Sequence, residues 1–220
     1  MKSFFTTART TGLFYFGLLV AGIVAFLLVR SNLYVQGDAW ATATNFVNQE
    51  SLARFGVMAE VALAGFQAFA AVWFFKLFRN TSSFAAGALA AFGMVNAVAI
   101  LLASAFWLSA INVAIASDQS VSFALNQAAT TQLLFGVHET IWTVASLFFG
   151  LWLLPMGYLV RRSRMPSTLG WLLIAGGVGY VLSVVAATAM PQFGRSFADL
   201  LTLPATAGEL WMIGYLLFKK

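Results

Sequence analysis

Cysteine is absent from all 220 residues, which excludes disulfides, thiolate metal centres and cysteine nucleophiles together. Histidine occurs once, at His138, so a multi-histidine zinc site cannot be assembled within one chain. Charge is scarce as well. Asp, Glu, Lys and Arg supply 9% of the chain and hydrophobic residues 61%, whereas a soluble domain carries about 25% charge. A soluble globular fold is excluded on composition. The chain also lacks a phosphate-binding loop, a dinucleotide fingerprint and a serine triad, so none of those motifs names a reaction.

What the chain has is apolar length. Six nearly uncharged stretches, residues 12–29, 51–78, 84–109, 130–160, 167–189 and 197–218, each approach or exceed the roughly 20 residues that cross a bilayer as a helix. Helix is the expected form, because backbone groups in lipid must be satisfied within the segment and the alternation of a membrane barrel is missing. The expectation is an all-α, polytopic transmembrane helical bundle with six spanning helices, forming one membrane domain over residues 1–220. The basic start around Lys2 and Arg9 leads into an uncharged run too long for a signal peptide, so the first helix is read as retained.

The net charge of +5 follows topology. Nine of the twelve basic residues (Lys2, Arg9, Lys76, Arg79, Arg161, Arg162, Arg164, Lys219 and Lys220) fall on one side of a six-helix topology, and Arg30, Arg54 and Arg195 on the other. The positive-inside bias then places both termini in the cytoplasm. This distribution argues against a nucleic-acid groove; the expected partners are membrane lipids and a small polar solute or ion. Oligomeric state is left open.

The connections are short at Asn80–Ser83 and Arg164–Ser167 and longer at 31–50 and 112–130, the last containing Asp118. In the first long loop Asp38 is placed to cap a short helix over 39–48, with Trp40, Ala43 and Val47 on one face for the membrane surface. Trp73, Trp107, Trp152, Tyr158 and Trp171 fall near expected helix ends, where amphipathic rings face headgroups. Gly12, Gly17, Gly22, Gly87, Gly93 and the run Gly176-Gly177-Val178-Gly179 read as close-packing positions.

Against this background the ionisable residues inside the spans stand out: Glu60, the pair His138-Glu139, and Glu209. Such groups are expensive in hydrocarbon and mark sites. At about 1.5 Å rise per residue, Glu60 stands about 24 Å from Lys76, in the outer half of a core about 30 Å thick. His138 and Glu139 lie near the same level, Asn96 between it and the middle, and Glu209 about 15 Å from the inner face. Gln67 shares the Glu60 face seven residues on. Arg54 and His138 are the cationic candidates for pairing. The site candidates are Glu60, Asn96, His138, Glu139, Glu209, Arg54 and Gln67. Three functional readings follow: binding or passage of a small polar solute, cation or proton; a packing or assembly protein; and a metal-dependent intramembrane hydrolase using His138, Glu139 and Glu60. Adjacent residues diverge by about 100° on a helix, which counts against His138 and Glu139 facing one ion, and no cofactor is implied.

The pieces Gly37-Asp38-Ala39, Phe149-Gly150-Leu151-Trp152-Leu153-Leu154-Pro155-Met156-Gly157-Tyr158, Leu169-Gly170 through Gly179-Tyr180, and Leu203-Pro204-Ala205-Thr206-Ala207-Gly208-Glu209 resemble an uncharacterised bacterial integral-membrane family, domain of unknown function 4386. The resemblance implies one multi-helix domain in the bacterial cytoplasmic (inner) membrane, and no functional residue can be carried over from it. Pro155 is expected to end or bend the fourth helix, and Pro204 to open the sixth.

Overall fold

The structure is a computed structural model that describes the backbone of residues 2–116, 121–189 and 194–218, and side chains over 7–116, 126–189 and 200–218. Asp118 and the pair Lys219-Lys220 lie outside the described residues, as do the side chains of Lys2 and Arg195. The elements run α1 (Lys2–Gly22), a π-helical segment π1 (Ile23–Arg30), α2 (Ser31–Leu33), α3 (Ala39–Asn48), α4 (Glu50–Phe78), α5 (Ser83–Ala114), α6 (Val121–Arg162), α7 (Ser167–Ala189) and α8 (Gly194–Phe218). There is no strand among the described residues. Six helical spans are long and apolar enough to cross a membrane: Thr7–Leu33, Glu50–Phe78, Ser83–Ala114, Asn126–Arg162, Ser167–Ala189 and Leu200–Phe218.

Two departures from the sequence reading concern helix length. The expected 112–130 loop is mostly helix, with α5 reaching Ala114 and α6 starting at Val121. That stretch holds no glycine or proline to stop a helix. Gln127 Nε2 also closes on the carbonyls of Val113, Ala114 and Ala116 at 2.7–2.9 Å, capping the end of α5. Pro155 does not end α6, which continues to Arg162. Proline costs a helix only its own N–H bond and a local clash, and in a membrane span the surrounding helices absorb both. Pro204 likewise lies inside α8.

The first long connection folds as expected over α3. Asp38 Oδ1 accepts from Ala41 N at 2.8 Å. Gly37 supplies the turn before it with φ +80°, a conformation that a side chain disfavours. Thr42 Oγ1 lies 3.1 Å from both the amide and the carbonyl of Val35, and Asn45 Nδ2 donates to Leu33 O at 3.1 Å. Thr42 and Phe46 form the buried face, leaving Trp40 and Val47 exposed.

The chain resolves into two compact units. One comprises Met1–Gly17, Gly65–Ala97 and Thr143–Lys220; the other comprises Leu18–Ala64 and Val98–Trp142. They are called here the first and second unit.

Glycine packing dominates the first unit. A Cβ on Gly150 would lie 2.7 Å from the Gly177 carbonyl oxygen, and one on Gly157 would lie 2.5 Å from that of Gly170. Each helix therefore presents two glycines seven residues apart, which brings the backbones of α6 and α7 together. The other face of α7 meets α8, where Gly176 abuts the Ala205 backbone and Gly179 abuts the Leu201 carbonyl. Gly87 has open space beside it, so the packing role expected for it is absent. Trp152 is fully buried, edge-on to Tyr15 and Phe74 at 5.5 and 5.8 Å, and so is a core residue. Trp73, Tyr158 and Trp171 stack instead with Lys76, Arg162 and Arg161.

The second unit packs around aromatic rings. Val29, Leu33, Phe46, Ala53, Val57, Trp107, Ala110, Ile111, Ala114 and Phe135 form one buried cluster. Trp107, also expected near an interface, is fully buried and meets Phe135 edge-on at 5.5 Å. Gly56 gives that ring room, since a Cβ there would lie 2.5 Å from Trp107 Cη2 and 2.7 Å from Val29 Cγ1.

Candidate functional site

Within the second unit α4, α5 and α6 carry their polar side chains to one place. Glu60 on α4 is wholly buried and engaged at both oxygens. Oε1 faces His138 Nε2 at 2.8 Å and accepts from Trp142 Nε1 at 3.0 Å. Oε2 lies 3.0 Å from the Ser104 hydroxyl, whose single proton is shared with the Ile100 carbonyl at 2.8 Å. All three neighbours can donate, which suits a carboxylate that would otherwise be costly in an apolar interior.

His138 extends the chain. Its Nδ1 lies 3.3 Å from Glu139 Oε1, and Glu139 Oε2 forms an ion pair with Arg30 Nη2. The neighbouring residues thus touch despite their divergence around the helix, because the glutamate side chain is long enough to fold back. The imidazole is walled by Phe135 and Trp107, with ring centroids 4.7 and 5.3 Å away. Exposure falls steadily along the series, from 23% at the Arg30 side chain to 13% at Glu139 and 0% at His138 and Glu60.

The two ring nitrogens of His138 are held differently. Nε2 is hydrogen-bonded to Glu60 Oε1, whereas Nδ1 and Glu139 Oε1 are 3.3 Å apart without a hydrogen bond between them. A neutral imidazole carries one N–H, and a rotation of the Glu139 carboxyl would bring an oxygen into line with Nδ1.

Of the residues singled out from sequence, Glu60, His138 and Glu139 are brought together. Arg54 is not with them: its Nε pairs with Glu50 Oε1 at 2.7 Å and its Nη2 reaches Asn112 Oδ1 at 3.4 Å. At i,i+4 on the same helix Glu50 is the nearer acid. The arginine of the cluster is Arg30, placed by π1. Glu209 belongs to the first unit, where Tyr15 Oη donates to its Oε1 at 2.6 Å. Gln67 and Asn96, also in the first unit, are fully buried, and their side-chain amides have no hydrogen-bond partner among the described residues. No group of three or more His, Asp and Glu among the described residues is arranged to hold a metal ion.

Sequence reasoning passed over Ser104, Trp142, Arg30 and Tyr15 as site residues. Trp142 carried a signal, one helical turn beyond His138 and so on its face. Ser104 and Tyr15 carried none.

Six membrane-length helices holding a buried chain of ionisable groups define a multi-pass α-helical membrane protein. The chain belongs to the family described as Domain of unknown function (DUF4386), whose model matches residues 10–219. No curated protein and no solved structure matches it.

Proposed function

We propose that the protein binds and passes protons, alone or with a small polar solute, at the Glu60–His138–Glu139 chain. The observation that carries this reading is the single buried imidazole with a carboxylate beside each nitrogen, hydrogen-bonded to Glu60 and 3.3 Å from Glu139, a path that a proton can follow once the Glu139 carboxyl turns to close on Nδ1. The exposure gradient from Arg30 inward supplies the entry. Intramembrane ionisable groups that connect to one another are the usual means of proton relay. A cation is less well served, since Arg30 already neutralises Glu139. The proposed setting is the bacterial cytoplasmic membrane with both termini inside, which the nine-to-three split of basic residues supports.

Proteoliposomes with an internal pH dye test the reading under an imposed potential or gradient of small solutes. Glu139→Gln and His138→Gln should abolish proton movement while the protein still unfolds cooperatively. The competing reading, an assembly protein whose polar chain only locks its helices, requires that the wild type move no protons and that these substitutions alter thermal stability alone. That result would remove the proposal.

A further inference from the structure

Three buried hydroxyls of the first unit have an acceptor, Tyr15 Oη on Glu209 Oε1 among them. Thr11 Oγ1 donates to the Thr7 carbonyl at 2.8 Å, and Ser183 Oγ to that of Tyr180 at 2.8 Å. Two amides in the same unit do not. Gln67 on α4 and Asn96 on α5 are both 0% exposed, and Nε2, Oε1, Nδ2 and Oδ1 all lack a hydrogen-bond partner among the described residues. Each amide offers two N–H donors and a carbonyl acceptor, and leaving all of these unmet in an apolar interior is costly.

The two side chains belong to one locality. A Cβ on Gly93 would lie 3.3 Å from Gln67 Nε2, 3.1 Å from Trp152 Cε3 and 2.8 Å from Ala71 Cβ, so the Gln67 amide is pressed against α5 at that level. Asn96 stands three residues further on, on the same face of the helix. The missing side chain at Gly93 is what lets the Gln67 amide and the Trp152 ring come up to α5. The Gln67 amide, the Trp152 ring and the Ala71 methyl thus converge on Gly93.

We infer that Gln67 and Asn96 form a binding site for small uncharged molecules that both donate and accept hydrogen bonds, of which water is the smallest. Complete burial disfavours an ion. Paired amides instead match a ligand with the same mixture of donors and acceptors, such as a carboxamide, a urea or a polyol. Water filling such a site makes about three bonds per molecule to otherwise unsatisfied groups. The inference does not depend on proton passage, which uses other residues.

The test uses the full chain in lipid nanodiscs. A structure at a resolution that shows ordered water should reveal one or more discrete molecules within hydrogen-bond distance of both amides. In parallel, thermal unfolding is followed with acetamide, urea at non-denaturing concentration, or glycerol as the added probe. A bound solute raises the unfolding temperature of the wild type by about 2–4 °C, and the rise should vanish in the Gln67→Leu/Asn96→Leu double variant. If no probe acts but ordered water bridges the amides, water is the occupant and the site stands. If the amides close on each other or on backbone carbonyls with nothing between them, or if a probe shifts the double variant equally, the inference is wrong. The wild-type structure decides even if the double variant fails to fold.

Discussion

In the second unit, buried acids meet partners of opposite charge or with protons to give: Glu60 has His138, Trp142 and Ser104, and Glu139 has Arg30. In the first unit Glu209 likewise has Tyr15, but two fully buried amides have no partner among the described residues. Packing differs in parallel. Aromatic rings fill the second unit around Trp107 and Phe135, whereas glycines let backbones touch between α6, α7 and α8 in the first. A carboxylate cannot remain unpaired in hydrocarbon and so dictates its neighbours, while a neutral amide tolerates an exchangeable partner. Large rings fit by shape and adjust by rotation; a glycine contact has only backbone to move.

The sharpest way to break this contrast is Glu60→Ala. It leaves His138 Nε2 buried without the carboxylate it faces and removes an acceptor from the Trp142 indole, and losing one member of a buried charged network costs about 3–5 kcal/mol. Thermal or denaturant unfolding in detergent should show the largest loss of the set, and a loss below about 1 kcal/mol would mean that the network is water-filled in the membrane.

Gly179→Ala comes next. Its Cβ collides with the Leu201 carbonyl, and overpacking of this kind costs about 1–3 kcal/mol. Gly65→Ala is the control, since nothing lies within 4 Å of that Cβ. There the substitution should leave stability unchanged or raise it by about 0.5–1 kcal/mol, the helix preference of alanine over glycine. Equal effects at the two glycines would show that α7 and α8 do not pack through Gly179.

The smallest effect should come from Arg54→Ala, whose pair with Glu50 is about two-fifths exposed on both sides. Exposed pairs contribute less than about 1 kcal/mol, and both stability and proton movement should be retained. Loss of proton movement in this variant would restore Arg54 to the site from which the structure removes it.

These comparisons also show what the sequence could and could not disclose. Apolar length located the six helices that are long and apolar enough to cross a membrane among the described residues, because the bilayer sets that length physically. Helical rise placed Glu60, His138 and Glu139 at one level, and they do meet. Rise says nothing of rotation about the helix axis, however, which is why it points to Arg54 where the structure has Arg30 and gives no sign of Ser104 or Tyr15. Polar residues such as Gln127 concealed the ends of α5 and α6, since a polar stretch reads as loop until its side chain is seen capping a neighbour. Position in sequence assigns Trp107 and Trp152 to the interface, whereas burial in the core is fixed by the partners that surround them.

The π-helical segment just before α2 has a consequence for Arg30. A π turn closes its hydrogen bond over one more residue than an α turn, so Ile23–Arg30 holds more chain per turn than the helix on either side. The direction of the Arg30 side chain is thereby set by a count of residues rather than by their identity. Exchanges among the apolar residues of the segment preserve the tally, whereas removing one residue either tightens a wide turn to α spacing or turns Arg30 away from Glu139. Ala25 and Val29 are held by their burial in the core, while the aim of Arg30 depends on spacing, which makes the ion pair to Glu139 a gauge of chain length.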